Sequence, residues 1–237
     1  VAGIPDGLRS ISSDVTPVDV GDVCVNYDVN YLDANDITPP DTLDDLADPQ
    51  YADLLVTPDP TTSSTGLAFM LATRAAFGDG FVDYWRSLDD NGLLVVSSWD
   101  DAYYSSFTLH GGDRPLVVSY ATSPPAEMIF ADPPYPDGTP AVSGVATGTC
   151  FRQIEFAGVL AGSDHVDSAR RLVDYLAGEV FQSVIGESLF VFPANARVSV
   201  PESFAAFAPR IDNPLTMTPA EIALNRDSWL EEWAPAR

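Results

Sequence analysis

The feature that most constrains this sequence is a hydroxyl-rich stretch between a predicted strand and a predicted helix. Residues 59–69 read Asp-Pro-Thr-Thr-Ser-Ser-Thr-Gly-Leu-Ala-Phe and follow the apolar run Leu54–Val56. Residues Gly66–Phe77 then carry apolar side chains at helical spacing. This order leaves backbone N–H groups and short hydroxyls at a helix N-terminus, where they can bind a polar or anionic group. An ordinary polar turn with a helix cap explains the stretch equally well.

Helices and strands continue to alternate after this strand, loop and helix. Apolar runs at Leu93–Val96 and Leu116–Tyr120 predict strands, and the segments that begin at Phe81 and Ser98 predict helices. Such alternation predicts an α/β fold, with a mainly parallel sheet flanked by helices. Ligands of parallel sheets bind at the carboxyl ends of the strands. We therefore expect three loops to share one rim: Thr61–Gly66, Ser97–Trp99 and Tyr120–Ser123.

The rest of the sequence predicts further strands, helices and loops. Strands are expected at Val23–Tyr27 and Phe151–Val159, and helices at Val166–Leu176 and from Asp41 and Thr218 onward. Irregular chain is expected at 131–148 and 187–201, and Pro124-Pro125 is expected to end strand pairing. The strongest of these signals is Thr218-Pro219-Ala220-Glu221, with a Thr cap, Pro in the first helical position and Glu two positions later.

The charge balance narrows the range of partners. The chain has 35 acidic and 11 basic residues, all of the latter Arg, for a net charge of −24. Such a field repels nucleic acids and anionic membranes, so neither is expected as a partner. It favours cationic ligands, although a role in keeping the protein dissolved explains it more simply. No apolar run is long enough for a transmembrane helix.

The cysteines leave two interpretations open. Cys24 and Cys150 lie in apolar, strand-like segments, where they can be buried free thiols or one disulfide of an exported protein. A zinc site is not expected, because His110 and His165 lie far from them in sequence. The opening residues 1–7 resemble the middle of a loop and show no signal peptide, which indicates a mature or truncated product.

Catalysis is not expected from the residue pattern. Ser63, Ser64 and Ser123 are possible nucleophiles, but none has a Gly-x-Ser-x-Gly context or an evident base. A phosphate-binding P-loop is excluded, because the chain has no Lys. The remaining class of function is non-covalent binding. Trp99 and Tyr120, at predicted strand ends, are suited to stacking on a flat or cationic ligand.

Four segments, in chain order, carry a resemblance: Asp59–Leu67, Ser98–Tyr103, Val118–Pro124 and Thr218–Trp233. They resemble the successive signatures of the periplasmic thiamine-binding proteins of ABC importers, and the resemblance covers nearly the whole chain. The Ser-Tyr-Ala-Thr-Ser-Pro run is the most specific part. Related ferric-ion binders carry a tyrosine pair where this chain has Tyr120 and Ala121.

The resemblance implies a two-lobed, type II periplasmic binding protein that captures thiamine or a thiamine phosphate and delivers it to a membrane ABC permease. No catalysis, cofactor or metal is implied. The ligand residues carried over by position are Thr62, Ser63, Ser64, Thr65, Gly66, Trp99, Tyr120, Ser123 and Phe190. The hydroxyl loop would meet the phosphate or hydroxyethyl end, the aromatic rings would hold the heterocycles, and Ser123 would donate or accept a hydrogen bond.

The resemblance also implies a division into lobes. Relatives carry a further stretch of roughly domain size before the position of Val1. Residues 1–22 are therefore expected to be the tail of a largely missing N-terminal lobe. Residues 23–150 would form a central α/β lobe with most ligand loops, and residues 151–237 a crossover strand and helices shared between the lobes.

A disulfide and a location follow from the same resemblance. The family brings the segments of Cys24 and Cys150 together near the lobe crossover, which implies a bridge between them. A bridge suits an extracytoplasmic protein, either periplasmic or a cell-surface lipoprotein, and a monomer is expected.

Two departures from the family pattern keep other ligands open. Ala126 stands where a relative has a second tyrosine, and Phe190 replaces a tryptophan. With a weaker aromatic box, the alternatives are a polyamine or another small cation, an anion on the hydroxyl loop, or ferric ion. A serine hydrolase that uses Ser63 or Ser123 is the alternative from a different class.

Overall fold

A computed structural model describes residues 2–9 and 14–236 of the chain. The described strands are β1 Val15–Asp28, β2 Leu55–Pro58, β3 Leu94–Val96, β4 Leu116–Tyr120, β5 Ser143–Gly158 and β6 Phe192–Pro193. The described α-helices are α1 Asp6–Arg9, α2 Val29–Ala34, α3 Ser64–Phe77, α4 Phe81–Asp90, α5 Ser123–Ile129, α6 Val166–Leu176, α7 Glu179–Leu189, α8 Glu202–Phe207 and α9 Pro219–Trp233. Within this part of the chain, no helix is both long and apolar enough to cross a membrane.

The strands form one mixed sheet with the order β3-β2-β4-β1-β5, and β6 pairs with β1. Strand β2 runs parallel to β3 and β4, whereas β1 runs antiparallel to β4, β5 and β6. The α/β fold with flanking helices is as expected, but the sheet is mixed and its described parallel pairs all involve β2. Apolar runs show that a strand is buried and say nothing about its direction, which is why the sequence missed the antiparallel half.

The helices on the main core pack through aromatic side chains. Trp85 of α4 meets Phe69 of α3 edge to face at 5.5 Å, and it meets Trp233 of α9 in the same way at 5.4 Å. The indole of Trp85 is fully buried and donates to Thr73 Oγ1 at 2.9 Å. Burying rings of this size removes a large apolar area from water, so this cluster fixes α3, and with it the loop that precedes α3.

Several predicted elements are present. Helices α3, α4, α6 and α9 lie where the apolar spacing placed them. Helix α9 begins as its sequence predicts, since Thr218 Oγ1 accepts a hydrogen bond from the backbone N–H of Glu221 at 3.2 Å. Helix α5 begins directly after β4, with Pro124 and Pro125 in its first turn, where proline is tolerated.

Other predicted elements differ. The helix expected from Asp41 is wrong: Asp45 Oδ2 accepts the N–H groups of Asp41 and Thr42, and two 3₁₀ turns follow, at Asp45–Ala47 and Pro49–Tyr51. The helix expected from Ser98 is a π-helical turn over Asp101–Ser106. The irregular segments are shorter than predicted, because β5 begins at Ser143 and α7 extends to Leu189.

The predicted Cys24–Cys150 disulfide is confirmed. The two sulfur atoms are 2.06 Å apart and join β1 to β5 across 126 positions of sequence. Beside the bridge, the register of the β1–β5 pairing shifts between Val23 and Val25. The lobe boundaries expected after residues 22 and 150 fall inside these two strands, and the division into lobes stays a prediction.

Candidate functional site

The three loops predicted to share a rim follow three adjacent parallel strands. Thr62 Oγ1, in the loop after β2, donates to the carbonyl oxygen of Ser97 after β3 at 2.7 Å. The backbone N–H of Asp59 donates to the carbonyl of Val96, also at 2.7 Å. These bonds hold the first two loops against each other at the carboxyl ends of their strands.

The indole of Trp99 joins the second loop to the third. Its Nε1 donates to Ser119 Oγ at 3.0 Å, and Ser119 Oγ lies 2.8 Å from Ser123 Oγ at the start of α5. One face of the indole stacks on Tyr103 at 4.9 Å and 18°. The ring centroids of Trp99 and Tyr120 are 6.5 Å apart, with the planes tilted by 56°.

A cavity of about 890 Å³ opens beside these rings. Four of the residues carried over from the family line it: Trp99, Tyr120, Ser123 and Phe190. Phe190 ends α7 with a left-handed backbone (φ 54°), its carbonyl accepts a hydrogen bond from the Thr122 hydroxyl, and its ring meets Phe130 edge to face at 5.0 Å. The cavity lining thus comes from the second loop with the turn that follows it, from the third loop with α5 and the segment after α5, and from the end of α7.

The hydroxyl loop does not line this cavity. Thr65 and Gly66 are buried, and Ser63 Oγ lies 3.0 Å from Thr65 Oγ1. A Cβ on Gly66 would overlap the carbonyl oxygen of Pro58, so glycine permits the close approach of α3 to the end of β2. Thr62 is exposed, and it serves as the donor between loops described above.

Ser64 is the member of the hydroxyl loop that hydrogen-bonds with Tyr120, one of the rings that form the aromatic wall of the first cavity together with Trp99. It is exposed and lines a second cavity, with Gln153 and Glu155 of β5. Burial raises the pKa of the Tyr120 phenol, while hydrogen bonds with Gln153 and Ser64 lower it. Tyr120 therefore lies between the two cavities. Its side chain connects the hydroxyl loop to the cavity that Trp99 and Tyr120 line.

Sequence reasoning missed a polar cluster in the lining, next to the stacked rings of Trp99 and Tyr103. Glu127 of α5 accepts the Tyr103 hydroxyl at 2.6 Å, and His110 Nε2 lies 3.0 Å from the same Oε1 atom. Burial, followed by the nearby Glu127 carboxylate, raises the pKa of Tyr103. A usable signal was present, since Glu127 lies four residues after Ser123 and so shares its helix face.

Comparison with known proteins bears on this site. The family of bacterial extracellular solute-binding proteins matches residues 2–213. The chain belongs to this family. A "Thiamine-binding periplasmic protein" of Brucella suis biovar 1 (strain 1330) is 31% identical over 227 residues, which cover 93% of this chain and 62% of that protein. The family membership agrees with the expectation that the chain is not an enzyme.

Solved structures extend the comparison. A structure titled "Periplasmic thiamin binding protein" superposes with a TM-score of 0.81 and 28% identity, over 95% of this chain and 66% of that one. A "Bordetella ferric binding protein" superposes with a TM-score of 0.69 at 20% identity, over 99% and 73%, and so shares the fold alone. This solute-binding protein spans about three fifths of the length of the curated relatives that it matches.

The hydroxyls of the candidate nucleophiles Ser63 and Ser123 bond with other hydroxyl groups. Ser63 Oγ bonds with Thr65, and Ser123 Oγ bonds with Ser119. His110 is engaged with Glu127. Among the bonds of the described residues, none joins a candidate serine to a histidine, as nucleophile activation requires.

A buried carboxyl group lies behind Tyr120. Asp19 of β1 is the cross-strand partner of Glu155 of β5, is only 3% exposed, and has an Oδ1 atom without a hydrogen-bond partner in the described part of the chain. Burial, followed by repulsion from Glu155, raises the pKa of Asp19 to about 7. Because the folded-state pKa exceeds the unfolded one, the protonated group favours folding, and this contribution is lost as the pH rises from about 4 to about 7.

Asp19→Asn is therefore expected to stabilise the protein more at high pH than at low pH. Between pH 5 and pH 8 the gain in unfolding free energy should grow by roughly 2 kcal/mol, since water at the exposed Glu155 screens part of the repulsion. Urea unfolding at both pH values measures this difference. Asp137→Asn, which neutralises an exposed carboxylate, is the matched control, and an equal gain at both pH values would contradict the prediction.

Proposed function

We propose that this solute-binding protein captures thiamine or a thiamine phosphate and passes it to an ABC permease, without catalysis or a cofactor. The observation that carries the proposal is the convergence of Trp99, Tyr120, Ser123 and Phe190 on one cavity. Its volume of about 890 Å³ is in the range of cavities that hold small organic ligands.

The chemistry of the wall suits a cationic aromatic ligand. Indole and phenol faces attract a cation by about 0.5–2 kcal/mol per contact, and more as water is excluded. The net charge of −24 adds a long-range attraction for the same class of ligand. The naming of relatives as thiamine-binding proteins supports thiamine among such ligands.

The hydroxyl loop would bind the hydroxyethyl or phosphate end of the ligand. Residues 62–66 lie at the N-terminus of α3, where backbone N–H groups favour a hydroxyl or phosphate. Ser64 is the exposed hydroxyl next to Tyr120. A ligand that bridges the two cavities would therefore place its heterocycle against Trp99 and its polar tail at Ser64.

An extracytoplasmic location fits this role. The Cys24–Cys150 bridge is of the kind that persists in oxidising compartments. Relatives carry the word periplasmic in their names. We propose a periplasmic protein or a cell-surface lipoprotein that acts as a monomer and docks on its permease.

Trp99→Ala is expected to weaken thiamine binding by more than tenfold, because the loss of stacking and cation–π attraction exceeds about 1.4 kcal/mol. Isothermal titration of the chain with thiamine and its phosphates measures this. Tyr175→Ala, which removes an exposed ring of α6 away from the cavity, is the control and should leave binding unchanged. An unchanged isotherm for Trp99→Ala would remove Trp99 from the site.

A polyamine is the second candidate ligand. The charged groups that line the cavity are the carboxylates of Glu127 and Asp132, which suit any small cation. Spermidine lacks an aromatic ring, so its binding would depend on these carboxylates and less on stacking. Titration with spermidine beside thiamine separates the two candidates.

A further inference from the structure

Glu127 is held in the cavity wall with little freedom. Its side chain is 14% exposed, lies on α5 and contacts Tyr103, which stacks on Trp99. Tyr103 and His110 both direct their polar atoms at Oε1. Among the described residues, Oε2 has no hydrogen-bond partner, so one oxygen of the carboxylate remains available to a ligand.

Among the described groups that line the cavity, His110 is the one that can carry a positive charge beside Glu127, and it does so only when it is protonated. The lining contains the carboxylates of Glu127 and Asp132, and none of the described Arg residues contributes to it. Asp132 is exposed, so water screens its charge. Glu127 is shielded by aromatic rings, where a carboxylate interacts more strongly with a nearby charge than it does in water.

We infer that Glu127 selects the charged state of the ligand: it favours a cationic heterocycle over a neutral one of the same shape. This inference rests on the proposed function and adds a specificity-determining residue to it. A positive charge at the Trp99 face would supply Glu127 with a counter-charge from the ligand, whereas a neutral ring would supply none. The same carboxylate repels phosphate, which directs the anionic tail of a thiamine phosphate away from α5 and toward the loop at Ser64.

The test compares two ligands in two forms of the chain. Thiamine carries a permanent charge on its thiazolium ring, and its thiophene analogue has nearly the same shape without the charge. Glu127→Gln keeps an acceptor for Tyr103 and His110 while removing the negative charge. We expect this variant to bind thiamine about tenfold more weakly, and the thiophene analogue within twofold of the unmutated chain.

The controls separate charge selection from structural effects. Asp137→Asn makes the same change in net charge on an exposed loop residue outside the cavity lining, and it should alter neither affinity. Equal losses for both ligands in Glu127→Gln would show that Glu127 only supports the fold of the wall, and would overturn the inference. If the unmutated chain binds thiamine and the preference for it is unchanged in the variant, the inference alone fails. If the unmutated chain binds neither compound, the proposed function fails and the inference with it.

Discussion

Replacing Cys24 and Cys150 together by Ala is expected to lower the free energy of unfolding by about 4–5 kcal/mol, because the bridge closes a long loop of the chain. The cysteines are 126 positions apart, and their cross-link removes much of the conformational freedom of the unfolded chain. Both side chains are buried, so the variant also loses packing between β1 and β5. Urea unfolding of the oxidised protein and the double variant measures the difference.

A reducing agent gives an independent measurement of the same effect. Dithiothreitol should destabilise the unmutated protein by nearly as much as the double substitution, and it should leave the double variant unchanged. A loss below about 1 kcal/mol in both experiments would show that the unfolded chain is already constrained by other means.

Arg152→Met is expected to cost about 3 kcal/mol, because it leaves a buried carboxylate without its partner. Arg152 Nε lies 2.5 Å from Asp22 Oδ1, and Nη2 donates to Asp22 Oδ2 at 3.0 Å and to the carbonyl of Ile211 at 3.2 Å. The Asp22 side chain is only 5% exposed. Burial raises the pKa of Asp22 and Arg152 partly offsets the rise, so removal of the guanidinium raises that pKa further.

Two comparisons check the cause of this loss. The loss should be larger at pH 8 than at pH 5, since protonation of Asp22 relieves the unpaired charge at low pH. The double variant Asp22→Asn/Arg152→Met should lose less than half as much as Arg152→Met alone, because no buried charge remains. Equal losses in the single and double variants would assign the effect to packing of the Arg152 stem instead.

The sequence predicted the helices where apolar spacing and end signals agree. Helix α9 has both a Thr218 cap and a Pro219 start, and it begins at the predicted residue. The predicted helix from Asp41 had only a cap signal with the Asp41 carboxylate as acceptor, whereas the carboxylate of Asp45, four residues later, accepts the N–H groups of Asp41 and Thr42. Local capping patterns cannot rank two such acceptors, since the ranking depends on the path of the chain beyond them.

Part of the candidate site was also accessible from sequence. Trp99 follows β3 and Tyr120 ends β4, the two strands that flank β2, and their rings line one cavity. The contribution of α5 was missed, because Pro124-Pro125 was interpreted only as the end of a strand, although proline also suits the first turn of a helix. Glu127 was missed as a site residue because it lies on that helix. The hydroxyl loop was identified, but its distance from the aromatic wall depends on packing of α3 that no local pattern specifies.

The lengths of the strands have a mechanical consequence. Strand β4 pairs with β1 only over Val23–Tyr27, whereas β1 and β5 continue together to Val15 and Gly158. Beyond Val23, β1 loses its β4 neighbour and pairs instead with the two-residue strand β6 at Asp19 and Val20, and the Cys24–Cys150 bridge lies where the β4 pairing begins. Phe190 lies two residues before β6 and lines the cavity, so bending of the ribbon beyond the bridge would move Phe190 relative to Trp99 and Tyr120.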